Sequence, residues 1–234
     1  MEEVEFSGIR VNFPIRYFDS SRISASYPAS ITKVQKSLPS EKLKPVQIKP
    51  GTTAISLAAY EHRHIEGYEQ YNEFGISVPV QYKTADKDPG LSGIYVLHLP
   101  VTTEETRRDG VDWYGFTKFI AEIGFEDMGE TRCCRVQAEG KDIITLEVKK
   151  LDTESVSRDF YVYTVKDCQL LRTLVQTHGQ VGTSNLAGGA SYSLGDHTIA
   201  KGLQNLEMGE TVIEYSYTAQ MQMMLHKPGE RLPK

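Results

Sequence analysis

The chain has 234 residues, 39% hydrophobic and 24% charged, with a formal net charge of -5. That is enough apolar material for a real core, and too acidic and too evenly mixed in charge for a phosphate-backbone binder. No run approaches the ~18 apolar residues of a membrane span, so neither nucleic acid nor membrane is expected as a partner.

The first residues, Met1-Glu2-Glu3-Val4-Glu5, are acidic and lack the basic lead of a signal peptide. Together with three cysteines, which cannot all pair, this points to the cytoplasm. Runs with strand character follow at 53–60, 74–82, 93–99, 131–138, 143–150, 159–164 and 211–225. Turn signals fall at Pro50-Gly51, Asp88-Pro89-Gly90, Asp109-Gly110, Glu139-Gly140 and Met208-Gly209. Within 143–148 apolar and polar residues roughly alternate, as on a half-buried strand. Cys133 and Cys134 are adjacent on a predicted strand, where neighbouring side chains point to opposite faces, so no bridge between them is expected. Helical signals are fewer. One covers 30–37 and stops before Leu38-Pro39; another covers 193–206 and is weakened by Gly195 and Gly202. With no repeat and no linker, residues 1–234 read as one domain. The class expected is mainly β, a β-rich α+β barrel or sandwich whose closed interior can hold a small ligand.

Two segments carry chemistry. Residues 110–119, GVDWYGFTKF, set Lys118 among aromatic and apolar neighbours. At the reference pKa of about 10.4 only about one lysine in a few thousand is neutral at pH 7. Burial favours the neutral amine, and only that form attacks a ketone to give an imine. Residues 71–82, YNEFGISVPVQY, open an apolar run with one carboxylate, Glu73, suited to proton transfer or to pairing with a cationic intermediate. Taken alone, a surface lysine on an edge strand and an exposed turn glutamate are the commoner placements.

Together the two segments resemble the acetoacetate decarboxylase family. YNEFGISVPV matches that family's Tyr-x-Glu-x-Gly-x-x-x-Pro-Val stretch, and GVDWYGFTKF its lead-in to an aromatic-Pro-Lys-Lys motif. Ile94–Leu99 and the segment Leu194-Gly195-Asp196-His197-Thr198-Ile199-Ala200 are also similar. The resemblance implies a single-domain antiparallel barrel-like double sheet and a homo-oligomer, working without cofactor or metal. It places Lys118 as the Schiff-base lysine and Glu73 as the active-site glutamate, with Tyr71, Phe116 and Phe119 against a small keto-acid substrate. Activation of such a lysine by desolvation or a neighbouring cation is a known feature of this family. There are departures. Thr117 and Phe119 stand where the family has proline and a second lysine, and Pro28 falls where an active-site arginine is expected; Arg16 and Arg22 lie upstream, out of register. The function implied is a lyase that decarboxylates a small β-keto acid. The alternatives are a Schiff-base aldolase-dehydratase acting on other keto acids and a non-catalytic ligand-binding barrel.

Other features are expected to be structural. His62-Arg63-His64 reads as an exposed polar loop without the further ligands a metal needs. Residues 182–189 read as a mobile glycine-rich loop near the cavity mouth, with no nucleotide-binding signature. Residues 221–225, rich in methionine, read as core or subunit interface, with side chains able to line a pocket.

Overall fold

The computed structural model describes residues 2–6, 9–83 and 91–233; the turn expected at Asp88-Pro89-Gly90 lies outside them. In chain order the strands are β1 (Glu2–Phe6), β2 (Ile9–Phe13), β3 (Ile15–Ser30), β4 (Leu43–Pro45), β5 (Thr52–Ile65), β6 (Tyr71–Tyr82) and β7 (Leu91–His98). There follow β8 (Glu122–Met128), β9 (Thr131–Ala138), β10 (Lys141–Lys149), β11 (Glu154–Lys166) and β12 (Gln169–Ser184). The last are β13 (Ala190–Leu194), β14 (Glu214–Leu225) and β15 (Glu230–Leu232). Helices α1 (Ile31–Ser37), α2 (Glu104–Tyr114) and α3 (Thr198–Asn205) complete the described elements.

The chain is mostly β. Its main sheet runs β11-β7-β6-β5-β3-β14-β12, and β12 pairs back onto β11, so these strands close into a ring. All the ring pairings are antiparallel but one: β11 meets β7 in parallel, through Val162–Ile94 and Tyr163–Tyr95. That contact is two residue pairs long, so the ring is joined most narrowly there. A second sheet, β13-β10-β9-β8, packs on one side of it.

Alternation along three neighbouring ring strands makes two different faces. Outward, Ile23, Ala25 and Tyr27 of β3, Ile55 and Leu57 of β5, and Phe74, Ile76 and Val78 of β6 are buried. They pack against Cys134, Val136, Ile144 and Leu146 of the second sheet. Inward, Ala58, Gly75 and Ser77 are small and leave a cavity. A separate apolar cluster closes the ring's interior, built from Phe13, Tyr17, Trp113, Tyr114 and Phe116 among others.

Turn chemistry accounts for what the sequence shows and what it hides. Glu139 and Gly140, both at positive φ (54° and 70°), join β9 to β10 as the two-residue hairpin their type favours. Asp167 and Cys168 do the same between β11 and β12, at 49° and 59°, without a glycine to announce the turn. Without that signal the sequence does not lead one to expect β12, and it does not lead one to expect β3, β8 or β13 either. The strand expected over 211–225 starts only at Glu214, and the helix expected over 193–206 shrinks to Thr198–Asn205, its first residues belonging to β13. The Asp109-Gly110 turn is corrected outright, because both residues lie inside α2.

Candidate active site

Lys118 does not sit on an exposed strand edge. It lies in an extended segment that leaves α2 and runs beside 99–101, with Leu99 N donating to Thr117 O (3.2 Å) and Val101 N to Phe119 O (2.9 Å). Extended backbone alternates its side chains. Phe116 and Lys118 therefore face the ring's interior. Phe119, expected beside the substrate, instead turns outward and packs on the cluster between ring and second sheet. Period two separates these neighbours, and a motif read as a contiguous block cannot show it.

Two glycines make this placement possible. Gly115 ends α2 in the left-handed conformation (φ 68°), and a Cβ there would lie 2.3 Å from the Val165 carbonyl oxygen. Gly110 carries the stem of Lys118 across the helix. A Cβ at Gly110 would come within 2.5 Å of Lys118 Cδ and 2.7 Å of Cε.

The lysine amine meets a carboxylate. Nζ of Lys118 is 2.9 Å from Oε2 of Glu73, with side chains only 7% and 13% exposed. Glu73 reaches it from β6, an inward position between Tyr60 of β5 and Val101. Nζ also lies 5.6 Å from the Tyr71 ring centre and 5.8 Å from that of Phe116, within range of cation–π attraction. Buried charge needs this kind of enclosure by partners.

Two cavities flank the lysine. The larger, about 640 Å³ including its mouth, is lined by Lys118 and Glu73 together with Ala58, Tyr60, Val96, Leu99, Phe116, Phe160 and Met223. Among the described residues Lys118 is the only cation in its wall. The smaller, about 320 Å³ by the same measure, lies on the α2 side and is lined by Lys118, Tyr17, Tyr68, Tyr71, Asp109 and Trp113 among others. Tyr71, expected against the substrate, thus belongs to the wall of the smaller cavity, whereas Phe116 borders both.

A buried aromatic cluster supports the pair from behind. Tyr17 and Tyr71 share a hydrogen bond of 3.1 Å between their hydroxyls. Burial, with the Glu73 charge nearby, pushes both phenols up, so both stay neutral. His62 corrects the expectation of an exposed loop: it lies on β5, 1% exposed, with Nδ1 2.8 Å from Ser20 Oγ. Its ring packs on Tyr17 and Tyr71, centres 4.7 Å away in each case, and stacks on Tyr60. Burial first, then the positive Lys118, lower its pKa to about 3, so the imidazole is neutral. Among the described residues no group of three or more His, Cys, Asp or Glu is arranged to hold a metal.

The arginine question resolves geometrically. Pro28 sits opposite Ala54 and against Gly209, well along β3 from the pair. Arg22 stands in the cross-strand row Arg22–Tyr60–Glu73. Its Nη2 donates to Ser216 Oγ at 2.9 Å, its Cζ lies 6.0 Å from the Tyr60 ring centre, and Tyr60 separates it from Glu73. Residues 182–189, expected near the mouth, are not among the described residues lining either cavity. They end β12 and turn into β13, with Gly189 O accepting from Lys149 N. Of residues 221–225, Met223 and Leu225 line the larger cavity, while Met224 is 38% exposed. His197 caps α3 by accepting from Ile199 N. Sequence reasoning misses Asp109 and Gly110, a pair that reads as a turn, and His62, whose inward position on β5 the two-residue spacing alone does not reveal.

Solved structures share the whole architecture. Acetoacetate decarboxylase from Legionella pneumophila superposes with a TM-score of 0.66 at 17% identity, covering 96% of this chain and 90% of that one. An acetoacetate decarboxylase-like enzyme from Sphingomonas wittichii gives 0.62 at 12%, covering 98% and 97%. The enduracididine biosynthesis enzyme MppR, complexed with the condensation product of pyruvate and imidazole 4-carboxaldehyde, gives 0.67 at 13%, covering 95% and 91%. No curated protein matches the chain in sequence. The family model described as acetoacetate decarboxylase (ADC) matches residues 7–231, and the chain belongs to that family.

Proposed function

We propose that the protein is a cofactor-independent lyase that decarboxylates a small β-keto acid through an imine at Lys118. The observation that carries this reading is the buried contact of 2.9 Å between the Lys118 amine and the Glu73 carboxylate at the wall of an apolar cavity. Glu73 takes a proton from Lys118, whose neutral amine adds to the ketone carbon. Loss of water then gives a protonated imine, held beside the Glu73 carboxylate. The carbon–carbon bond to the carboxylate breaks, its electron pair moves toward the imine nitrogen, and CO2 leaves an enamine. An apolar wall helps this step, because a carboxylate poorly solvated in the bound state becomes neutral CO2. Protonation of the enamine and hydrolysis release a ketone and restore Lys118. Covalent catalysis divides one difficult step into easier ones.

The wall of the larger cavity also bears on substrate choice. An acid whose carboxylate finds no cation other than the reacting lysine gains little from polar binding, whereas an alkyl chain gains from apolar burial. Acetoacetate is therefore expected to be a poorer substrate than longer β-keto acids. The likeness to MppR favours one second reading, an aldolase-dehydratase in which the same imine stabilises a different carbanion. Product analysis across β-keto and α-keto acids, with and without an aldehyde, separates the two: CO2 and a ketone support the first, a condensation product the second. Exposed Phe18 and Met224, beside a groove on the outer side of β14, suit a subunit contact. Light scattering at micromolar concentration is expected to show a homo-oligomer, and a monodisperse monomer would refute that part.

A further inference from the structure

We propose that the smaller cavity is the hydration port of the site, and that Asp109 is the general base for the water that hydrolyses the Lys118 imine. This inference rests on the imine chemistry proposed above and extends it to a step Glu73 does not face.

The difficulty it answers is physical. An apolar cavity favours loss of CO2 by keeping water away, yet the last step of the cycle consumes a water at the same carbon–nitrogen bond. One lysine meets both demands if its two sides differ. Lys118 lines both cavities, whereas Glu73 lines only the apolar one. The smaller cavity presents the polar groups of Tyr17, Tyr68, Tyr71, Thr106 and Asp109. A buried water needs two to four polar partners, and this wall supplies them.

Asp109 is the group with the right chemistry there. It is 6% exposed, and its carboxylate accepts from Tyr68 Oη (3.0 Å) and from Arg108 Nε (2.8 Å). Arg108 is half-exposed, so the pair links the cavity to the surface. Asp109 directly precedes Gly110, where a Cβ would stand 3.3 Å from Lys118 Nζ. Asp109 and Lys118 both line the smaller cavity, so carboxylate and amine share its wall. Four lone-pair sites on the carboxylate leave room for a water beside its two existing donors.

The step balances without a co-reactant. Water oxygen bonds to the iminium carbon, and one water proton passes to Asp109. Asp109 returns that proton to the nitrogen. The carbon–nitrogen bond then breaks with its electron pair going to nitrogen, and the hydroxyl proton is carried by Asp109 to the released amine. Iminium plus water become ketone plus the Lys118 ammonium. Tyr68 is a positioning residue that orients the Asp109 carboxylate.

The test uses rapid mixing of the full chain with a six-carbon β-keto acid, comparing CO2 release in the first turnover with the steady state. Borohydride trapping measures the fraction of enzyme held as the imine. In Asp109→Asn the first-turnover burst is expected to persist, with the steady-state rate falling roughly 100-fold and the trapped fraction rising. Tyr68→Phe removes one hydroxyl and is expected to show the same pattern at roughly tenfold; it carries the comparison where Asp109→Asn does not fold. Burst and steady state falling together, or neither changing, would overturn the assignment. A wild-type protein that traps no adduct with any keto acid would overturn the imine reading itself.

Discussion

The two faces of the β3–β5–β6 wall are made from the same strands and do opposite things. Outward, each position is filled: Leu57, Phe74 and Val78 have no exposed surface, and they lock the ring to the second sheet. Inward, the alternate positions Ala58, Gly75 and Ser77 are small, and the space they leave is the cavity into which Lys118 and Glu73 point. Stability is concentrated on the face where side chains are large, and chemistry on the face where they are not. A one-residue step along β6 crosses from one regime to the other.

That contrast can be broken most severely at Glu73. Glu73→Gln keeps the shape and removes the base, and kcat/KM for the best β-keto acid is expected to fall about 10²- to 10⁴-fold, with the thermal midpoint read alongside. Next come two neighbours on β6. Ile76→Ala, on the packed face, is expected to lose about 2–5 kcal/mol in denaturant titration while the folded fraction keeps its KM. Gly75→Ala places a methyl in ordinary contact with Leu99 (3.5 Å from Cδ1) and is expected to change stability by under about 1 kcal/mol while raising KM. Equal stability losses at the two positions would refute the division of labour.

A smaller effect sharpens the link between α2 and the lysine. Gly110→Ala improves helix propensity by about 0.5–1 kcal/mol but drives a methyl into the Lys118 stem. Activity is expected to fall roughly 100-fold through misplacement of the amine, without a matching loss of helix content by circular dichroism. An active Gly110→Ala protein would show that the stem is free to move.

The smallest concerns acid. His62 is neutral when folded, its pKa lowered to about 3 chiefly by burial, while an unfolded histidine takes a proton near 6.5. The unfolded state therefore binds more protons through that window, and stability falls as pH drops from about 6.5 toward about 3. From pH 6.5 to 5 this amounts to about 2 kcal/mol. Tyr17 and Tyr71, which pack on the ring, are neutral throughout that range. The carboxylates of Asp19 and Asp142, held down by Arg63 and Arg135, add their own loss in acid, so the His62 part is the difference between wild type and His62→Phe. That substitution is expected to flatten the slope in denaturant titrations at several pH values, and an unchanged slope would contradict the assignment.

Legibility in the sequence follows the same division. Strands with clear alternation and a glycine turn, such as β9 and β10 around Glu139-Gly140, announce themselves locally. The β11–β12 hairpin turns on Asp167-Cys168, whose left-handed conformation is imposed by the pairing of two long strands. Gly110 carries the opposite lesson: it looks like a turn and is a packing glycine, while Glu104 and Glu105 at the start of α2 and Gly115 at its end were the signals that outweigh it. In the site, Lys118 stands out among aromatic and apolar neighbours, and Glu73 as the one carboxylate opening an apolar run. His62 and Asp109 do not, because their environment comes from strands and helices distant in sequence. Phe119 marks the limit of motif reading, since adjacency to Lys118 puts it on the other face.

The most direct test of imine chemistry at this pair is borohydride reduction in the presence of a β-keto acid, followed by peptide mass analysis. The expected result is a mass increase, equal to the reduced adduct of the ketone product, on the peptide carrying Lys118 and absent from Lys118→Ala. Reduction that leaves Lys118 unmodified while the protein still releases CO2 would contradict the proposal.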